Sequence, residues 1–226
     1  MIHADLHGKT GVREDLVTSG CMGLLELLPN YIEFFGGAKD VSGNDLSGRL
    51  KGYSGVQMDF WHAVDGRIPD LIVTITNDND NEIRLVIEVK FGAPLSPAPE
   101  GNQLAAYWCA ANKTFGSRNF EVIYLTKDHG MPKNDMEEAK NGDANKNFYW
   151  ISFYDLYRWC DEELQKRRCD TDKNILKLLV FYLEKKGCRV FRGFKDKLIP
   201  MKNSCFYRRV YNLNCELYPY LRILYK

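Results

Sequence analysis

The sequence has no apolar run approaching the roughly 20 residues that a membrane-spanning helix needs, so no helical span is expected. Its first residues include His3, Asp5, His7 and Lys9 and lack the basic-then-apolar pattern of a secretory leader, so a soluble, cytoplasmic protein is expected. Seven cysteines, at positions 21, 109, 160, 169, 188, 205 and 215, are odd in number and scattered, and they include no Cys-x-x-Cys pair. Reduced thiols are therefore expected rather than a disulfide framework. Net charge is also small, at +1, which excludes binding of nucleic acid through bulk polycation character. The sequence has only four histidines. His3 and His7 stand at helical spacing but near a chain end, and His62 and His129 have no partner motif. A histidine-based metal hydrolase is thus disfavoured.

What is present suits one α/β domain with additions: 226 residues, 45% of them hydrophobic, can bury a substantial core. Residues 12–28 read as an amphipathic helix, with Thr10 as a candidate cap, Glu14 in the first turn and Pro29 just past the end. The Gly, Ser, Asn and Asp-rich stretch from 36 to 55 reads as a loop insertion bordering the active site. A strand over 56–64 precedes an Asp65-Gly66 turn, and two further strands flank the pentad Asn77-Asp78-Asn79-Asp80-Asn81. A helix follows over 102–114, then strands over 120–126 and 148–153 and helices over 154–169 and 172–186. This pattern places the core domain at residues 1–187 and leaves 188–226 as a basic, aromatic accessory segment.

The pentad suits a turn and suits strands poorly, which makes its flanks a hairpin. Asp78 and Asp80 lack the glycine and terminal glutamate of a calcium loop, so turn chemistry accounts for them. Centring the turn on Asn79 opposes Leu71 to Ile87, Val73 to Leu85 and Ile75 to Ile83, an apolar face that must lie on a core. On the other face Ile72 meets Val86, and at the open end Asp70 falls opposite Glu88, with Lys90 two residues further on. Opposed side chains sit about 4.5–5.5 Å apart at Cβ, so two carboxylates there repel unless a cation lies between them. Pattern and spacing thus favour a divalent-metal site; the alternative is a strand-initial Asp70 with an exposed Glu88–Lys90 ion pair, which the otherwise buried run Leu85-Val86-Ile87 and Val89 argues against.

Pro69-Asp70, a gap of seventeen residues, then Glu88-Val89-Lys90 resembles the signature of the PD-(D/E)XK nuclease superfamily. Gln103-Leu104-Ala105-Ala106-Tyr107 is similar to the Gln-x-x-x-Tyr element of its RecB-like branch, and Gly66 before Asp70 is in keeping with that branch. The resemblance covers about residues 10–155 and implies a restriction-endonuclease-like αβββαβ core, a mixed central sheet flanked by helices. It implies Asp70, Glu88, Lys90, Glu14 and Gln103 as catalytic residues. A Mg²⁺ ion, for which Mn²⁺ could substitute, would lie on Asp70, Glu88, the Val89 carbonyl and Glu14. Tyr107 would support substrate or packing. Some RecB-like nucleases hold an iron–sulfur cluster on clustered cysteines, but the wide spacing here argues against one.

Nine Lys and Arg residues between 185 and 209 face one acid, Asp196, with Phe191, Phe194, Phe206 and Tyr207 interleaved. Such a stretch can track phosphates and stack bases, which nominates Lys185, Lys186, Arg189 and Arg192 as substrate-binding residues; a solvated basic face is the equal alternative. The expected function is a metal-dependent nuclease acting on DNA, in antiphage defence or DNA repair, as a homodimer or beside a sensor protein. The competing reading is a nucleic-acid-binding or protein-interaction module on this fold that has lost catalysis. A complete acid, acid and lysine set argues against it.

Overall fold

The β-branched, apolar segments Leu71–Asn77 (β2) and Glu82–Lys90 (β3) form an antiparallel hairpin at the centre of the sheet. The structure, a computed structural model, describes residues 13–190. The register is the one centred on Asn79, pairing Leu71 with Ile87, Ile72 with Val86, Val73 with Leu85, Thr74 with Arg84, Ile75 with Ile83 and Thr76 with Glu82. Local chemistry closes the turn: Asn77 Oδ1 accepts from the N–H groups of Asn79 and Asn81, both at 3.0 Å. Asp80 takes φ +58°, a conformation that Asp tolerates better than β-branched residues do.

Three more strands complete the sheet: Tyr53–Phe60 (β1), Phe120–Thr126 (β6) and Phe148–Ser152 (β7), in the order β1-β2-β3-β6-β7. Strands β1, β2 and β3 pair antiparallel, whereas β3, β6 and β7 pair parallel. Parallel neighbours need crossovers. The first carries a two-residue strand pair, Pro97–Ala98 (β4) with Gly101–Asn102 (β5), and the helix Gln103–Phe115 (α4); the second carries Lys133–Lys140 (α5). Helices Arg13–Leu25 (α1), Ile32–Gly36 (α2) and Ser47–Leu50 (α3) precede the sheet, and Phe153–Lys166 (α6) and Asp170–Lys185 (α7) follow it. The described element order contains the αβββαβ core. No described helix is long and apolar enough to cross a membrane.

Both sheet faces are covered, which explains why the central strands are apolar without alternation. Leu71, Val73, Leu85 and Ile87 share one core with Cys21 of α1, Leu156 of α6 and Leu179 of α7, while Val86 packs with Leu104 and Tyr107 of α4 and Met136 of α5. Leu85 is fully buried in the middle strand. Leu85→Ala should therefore lower unfolding free energy by about 2–5 kcal/mol in a urea titration, with the denaturant slope nearly unchanged.

The segment 36–55 corrects its sequence reading. It is packed: Ala38 and Leu46 are fully buried and Leu50 nearly so, and Lys39 exchanges backbone hydrogen bonds with Trp150 at 2.8 Å, covering the β7 edge. Arg49 of α3 pairs with Glu121 and donates to the Arg118 carbonyl, so the segment packs where β6 begins rather than beside the acids at the end of β3. Polar composition concealed a few buried anchors. Thr10, His3, His7 and the tail from residue 191 lie outside the described residues.

Candidate active site

Asp70 is delivered by a tight turn. Asp65 and Gly66 have φ of +44° and +76°, and Val64 and Arg67 exchange backbone hydrogen bonds at 2.8 and 2.9 Å, as in a two-residue hairpin turn. The chain then runs through the buried Pro69 to Asp70, whose carbonyl accepts from the Trp61 N–H at 3.2 Å. The β2–β3 ladder ends one step earlier, at Leu71 with Ile87. Asp70 thus caps the open end instead of extending the ladder opposite Glu88, and its Oδ2 accepts from the Val89 N–H at 2.8 Å. A strand residue's N–H and C=O lie on the same edge, so the Val89 carbonyl also faces the Asp70 side.

Strand alternation puts Glu88 and Lys90 on one face. Lys90 Nζ donates to Glu88 Oε1 at 2.5 Å and stands 3.7 Å from Glu14 Oε2. Glu14 comes from the first turn of α1, and its Oε1 accepts from the Phe91 N–H at 2.5 Å, across 77 residues of sequence. Three carboxylates and one ammonium therefore converge where β3 ends. Among the described residues no three His, Cys, Asp or Glu side chains form a ready-made metal shell, so a cation here would complete its coordination with backbone oxygen, water or substrate.

Electrostatics at the site favour a cation. Glu88 is 1% exposed, and its Oε2 is buried without a hydrogen-bond partner. Burial, and then the Asp70 carboxylate, push Glu88 up to about 8 against the pull of Lys90. Burial likewise raises Asp70 despite the Val89 N–H and the Lys90 charge. For Lys90 burial works in the lowering direction, yet Glu88, and then Glu14 and Asp70, hold its ammonium above the ordinary value. A buried carboxylate beside a half-buried one is costly without a compensating positive charge.

Helix α4 supplies the second layer. Asn102 caps it by accepting from Leu104 and Ala105 N–H at 3.1 and 3.3 Å, which fixes its first turn over the site. Gln103 and Tyr107, four residues apart, share a face. Gln103 Nε2 donates to the Tyr107 hydroxyl at 2.9 Å, and that hydroxyl donates to the Ile68 carbonyl at 3.1 Å. Tyr107 thereby braces the turn that presents Asp70. Burial, and then Glu88, raise its phenol above the usual range, so it stays protonated. Gln103 Oε1 accepts from the Ser96 N–H at 3.3 Å, which places Gln103 beside the acids through Tyr107 rather than among them. Tyr107→Phe leaves the Ile68 carbonyl and the Gln103 amide without that partner. It should cost about 1–3 kcal/mol in thermal unfolding, and cleavage should slow about tenfold in a steady-state assay.

The basic residues fare differently. Lys185 and Lys186 lie over the rings of Phe181 and Tyr182 on their own helix, at 5.2 and 5.3 Å, and Arg189 stands 3.9 Å from Glu184. The structure does not bring these three onto the acids, and Arg192 lies outside the described residues. Lys127 escaped the sequence reading: it follows β6, and its N–H donates to the Lys90 carbonyl at 3.1 Å. The usable signal was a lysine at the end of a strand that pairs parallel with β3.

The family model of the PD-(D/E)XK nuclease superfamily matches residues 63–184, which include Asp70, Glu88, Lys90, Gln103 and Tyr107. No curated protein and no solved structure matches the chain significantly. With the mixed sheet and its helices arranged as in a restriction-endonuclease-like fold, this match over more than half of the sequence shows that the chain belongs to the PD-(D/E)XK nuclease superfamily.

Proposed function

We propose that this nuclease hydrolyses phosphodiester bonds in DNA with a divalent cation, Mg²⁺, held by Asp70, Glu88 and the Val89 carbonyl. The observation that carries this reading is the buried Glu88, whose Oε2 accepts no well-formed hydrogen bond, beside the half-buried carboxylate of Asp70. Nucleases of this superfamily generally use divalent metal ions. The donor set fits: hard oxygen ligands, two carboxylates and a carbonyl suit Mg²⁺, with Mn²⁺ as a substitute. When bound, the cation would neutralise the acids, polarise the scissile phosphate and lower the pKa of an attacking water. Lys90, held by Glu88 and Glu14, would orient that water and add positive charge where the phosphorane-like charge builds. Glu14 would fix Lys90 and hold the water shell, or take part in a second cation site. Tyr107, held by Gln103, keeps the Asp70 turn in place.

Support for the RecB-like branch comes from the Gln103-x-x-x-Tyr107 element and its position against the site. We assign the nuclease domain to residues 1–187 and an accessory role in substrate binding to 188–226. Antiphage defence or DNA repair is the proposed setting, with a second copy or a sensor protein as partner. The test is incubation of the purified chain with linear, circular and single-stranded DNA, with each metal and with chelator. Cleavage that depends on Mg²⁺ or Mn²⁺ is expected. Metal-independent binding without cleavage on every substrate would favour the inactive binding module instead.

A further inference from the structure

Lys127 is a half-buried lysine with no carboxylate partner among the described residues. Its ammonium has three donors, and one of them goes to the Lys186 carbonyl at 2.8 Å, while the Phe91 ring lies 4.7 Å away. It sits beside the catalytic strand, since Lys90 pairs with Thr126 and the Lys127 N–H reaches the Lys90 carbonyl. The neighbouring Lys90 is already committed to Glu88 and Glu14. Among the described residues Lys127 is thus a cation beside the end of β3 with two ammonium donors left for a substrate phosphate.

Two residues on, the exposed His129 lies flat on Tyr154, with ring centroids 3.8 Å apart and 21° between the planes. The Tyr154 hydroxyl donates to the Gly187 carbonyl at 3.3 Å, so the ring pair and Lys127 are tied to the same chain segment, 186–187. Asp128, the intervening acid, is exposed, with its N–H on Thr126 Oγ1 at 3.1 Å. A fixed aromatic platform beside an ammonium that has no carboxylate partner and two donors to spare matches what single-stranded nucleic acid requires: a charge for the backbone and a flat surface for an unstacked base.

We propose that Lys127 and the His129–Tyr154 stack form a subsite for one unpaired nucleotide of the DNA substrate where β6 ends, Lys127 holding a backbone phosphate and His129 stacking the base. The subsite rests on the nuclease reading of the acids. A base inside a duplex has both faces covered by its neighbours, so the subsite gives the enzyme a preference for single strands or frayed ends.

Steady-state cleavage by the full chain, on matched single-stranded and duplex oligonucleotides with Mg²⁺ or Mn²⁺, tests it. His129→Ala alters an exposed ring and should raise KM on single strands about tenfold, with a much smaller change in kcat. Lys127→Gln should raise KM on single strands and reduce the slope of affinity against salt by about one, and Lys127→Arg should restore both. Wild-type KM on single strands in both His129→Ala and Lys127→Gln would overturn the subsite and leave the nuclease standing, as would a wild-type enzyme that cuts duplex alone. Absence of cleavage of any nucleic acid with either metal would overturn both.

Discussion

Asp70→Ala should yield a folded protein whose cleavage of DNA, the proposed substrate, falls at least about 10³-fold, because on the proposed mechanism it removes several kcal/mol of charge stabilisation at the scissile phosphate. The fold should survive. Asp70 makes one described side-chain hydrogen bond, to the Val89 N–H, and losing it costs about 1–3 kcal/mol, less than the 5–15 kcal/mol typical of a domain. Glu88→Ala should be as inactive, and Lys90→Ala nearly so, since it also leaves Glu88 and Glu14 without their ammonium. Circular dichroism alongside a fluorescent cleavage assay separates lost chemistry from lost structure. Cleavage at the wild-type rate by a folded Asp70→Ala protein would remove Asp70 from the site.

Metal-free protein should lose stability as pH rises from about 4.5 to about 8, the ordinary and folded-state values for Glu88. The sign follows from proton binding. A carboxyl raised in the folded state keeps its proton there while the unfolded chain has released its own. The folded state thus binds more protons across this window, and stability falls as pH climbs through it. Mg²⁺ should oppose the loss by binding the ionised acids, so its stabilising effect in urea titrations should be largest near pH 8 and small near pH 5. Glu88→Gln should make the pH dependence shallower, leaving the part carried by Glu121, which burial raises to about 7 against the pull of Arg49, and should abolish the metal effect. An unchanged pH slope in Glu88→Gln would show that another group carries it.

The hairpin was legible because its determinants are local. Asn77 and Asp80 set the turn, and a period of two leaves a single register that buries Leu71, Val73, Leu85 and Ile87 together. Asp70 was expected as a ladder partner of Glu88, but the ladder, in the expected register, stops at Leu71 with Ile87, and the Asp70 carboxylate accepts from the Val89 N–H instead. The 36–55 segment was misread because Ala38, Leu46 and Leu50 have no periodicity and their burial depends on elements distant in sequence. Glu14 shows the same limit. Nothing within its helix indicates that its carboxylate meets the Phe91 N–H, and only the superfamily resemblance singled it out. Lys127 became visible once β6 was seen to run parallel beside β3.

The central claim, that Asp70 and Glu88 form a cation site for phosphodiester hydrolysis, is tested most directly by cleavage of end-labelled DNA by the chelator-stripped full chain before and after addition of Mg²⁺. No cleavage is expected in chelator, cleavage is expected on addition of Mg²⁺ or Mn²⁺, and none is expected from Asp70→Asn under either condition. Cleavage that persists in chelator, or that Asp70→Asn retains, would contradict it.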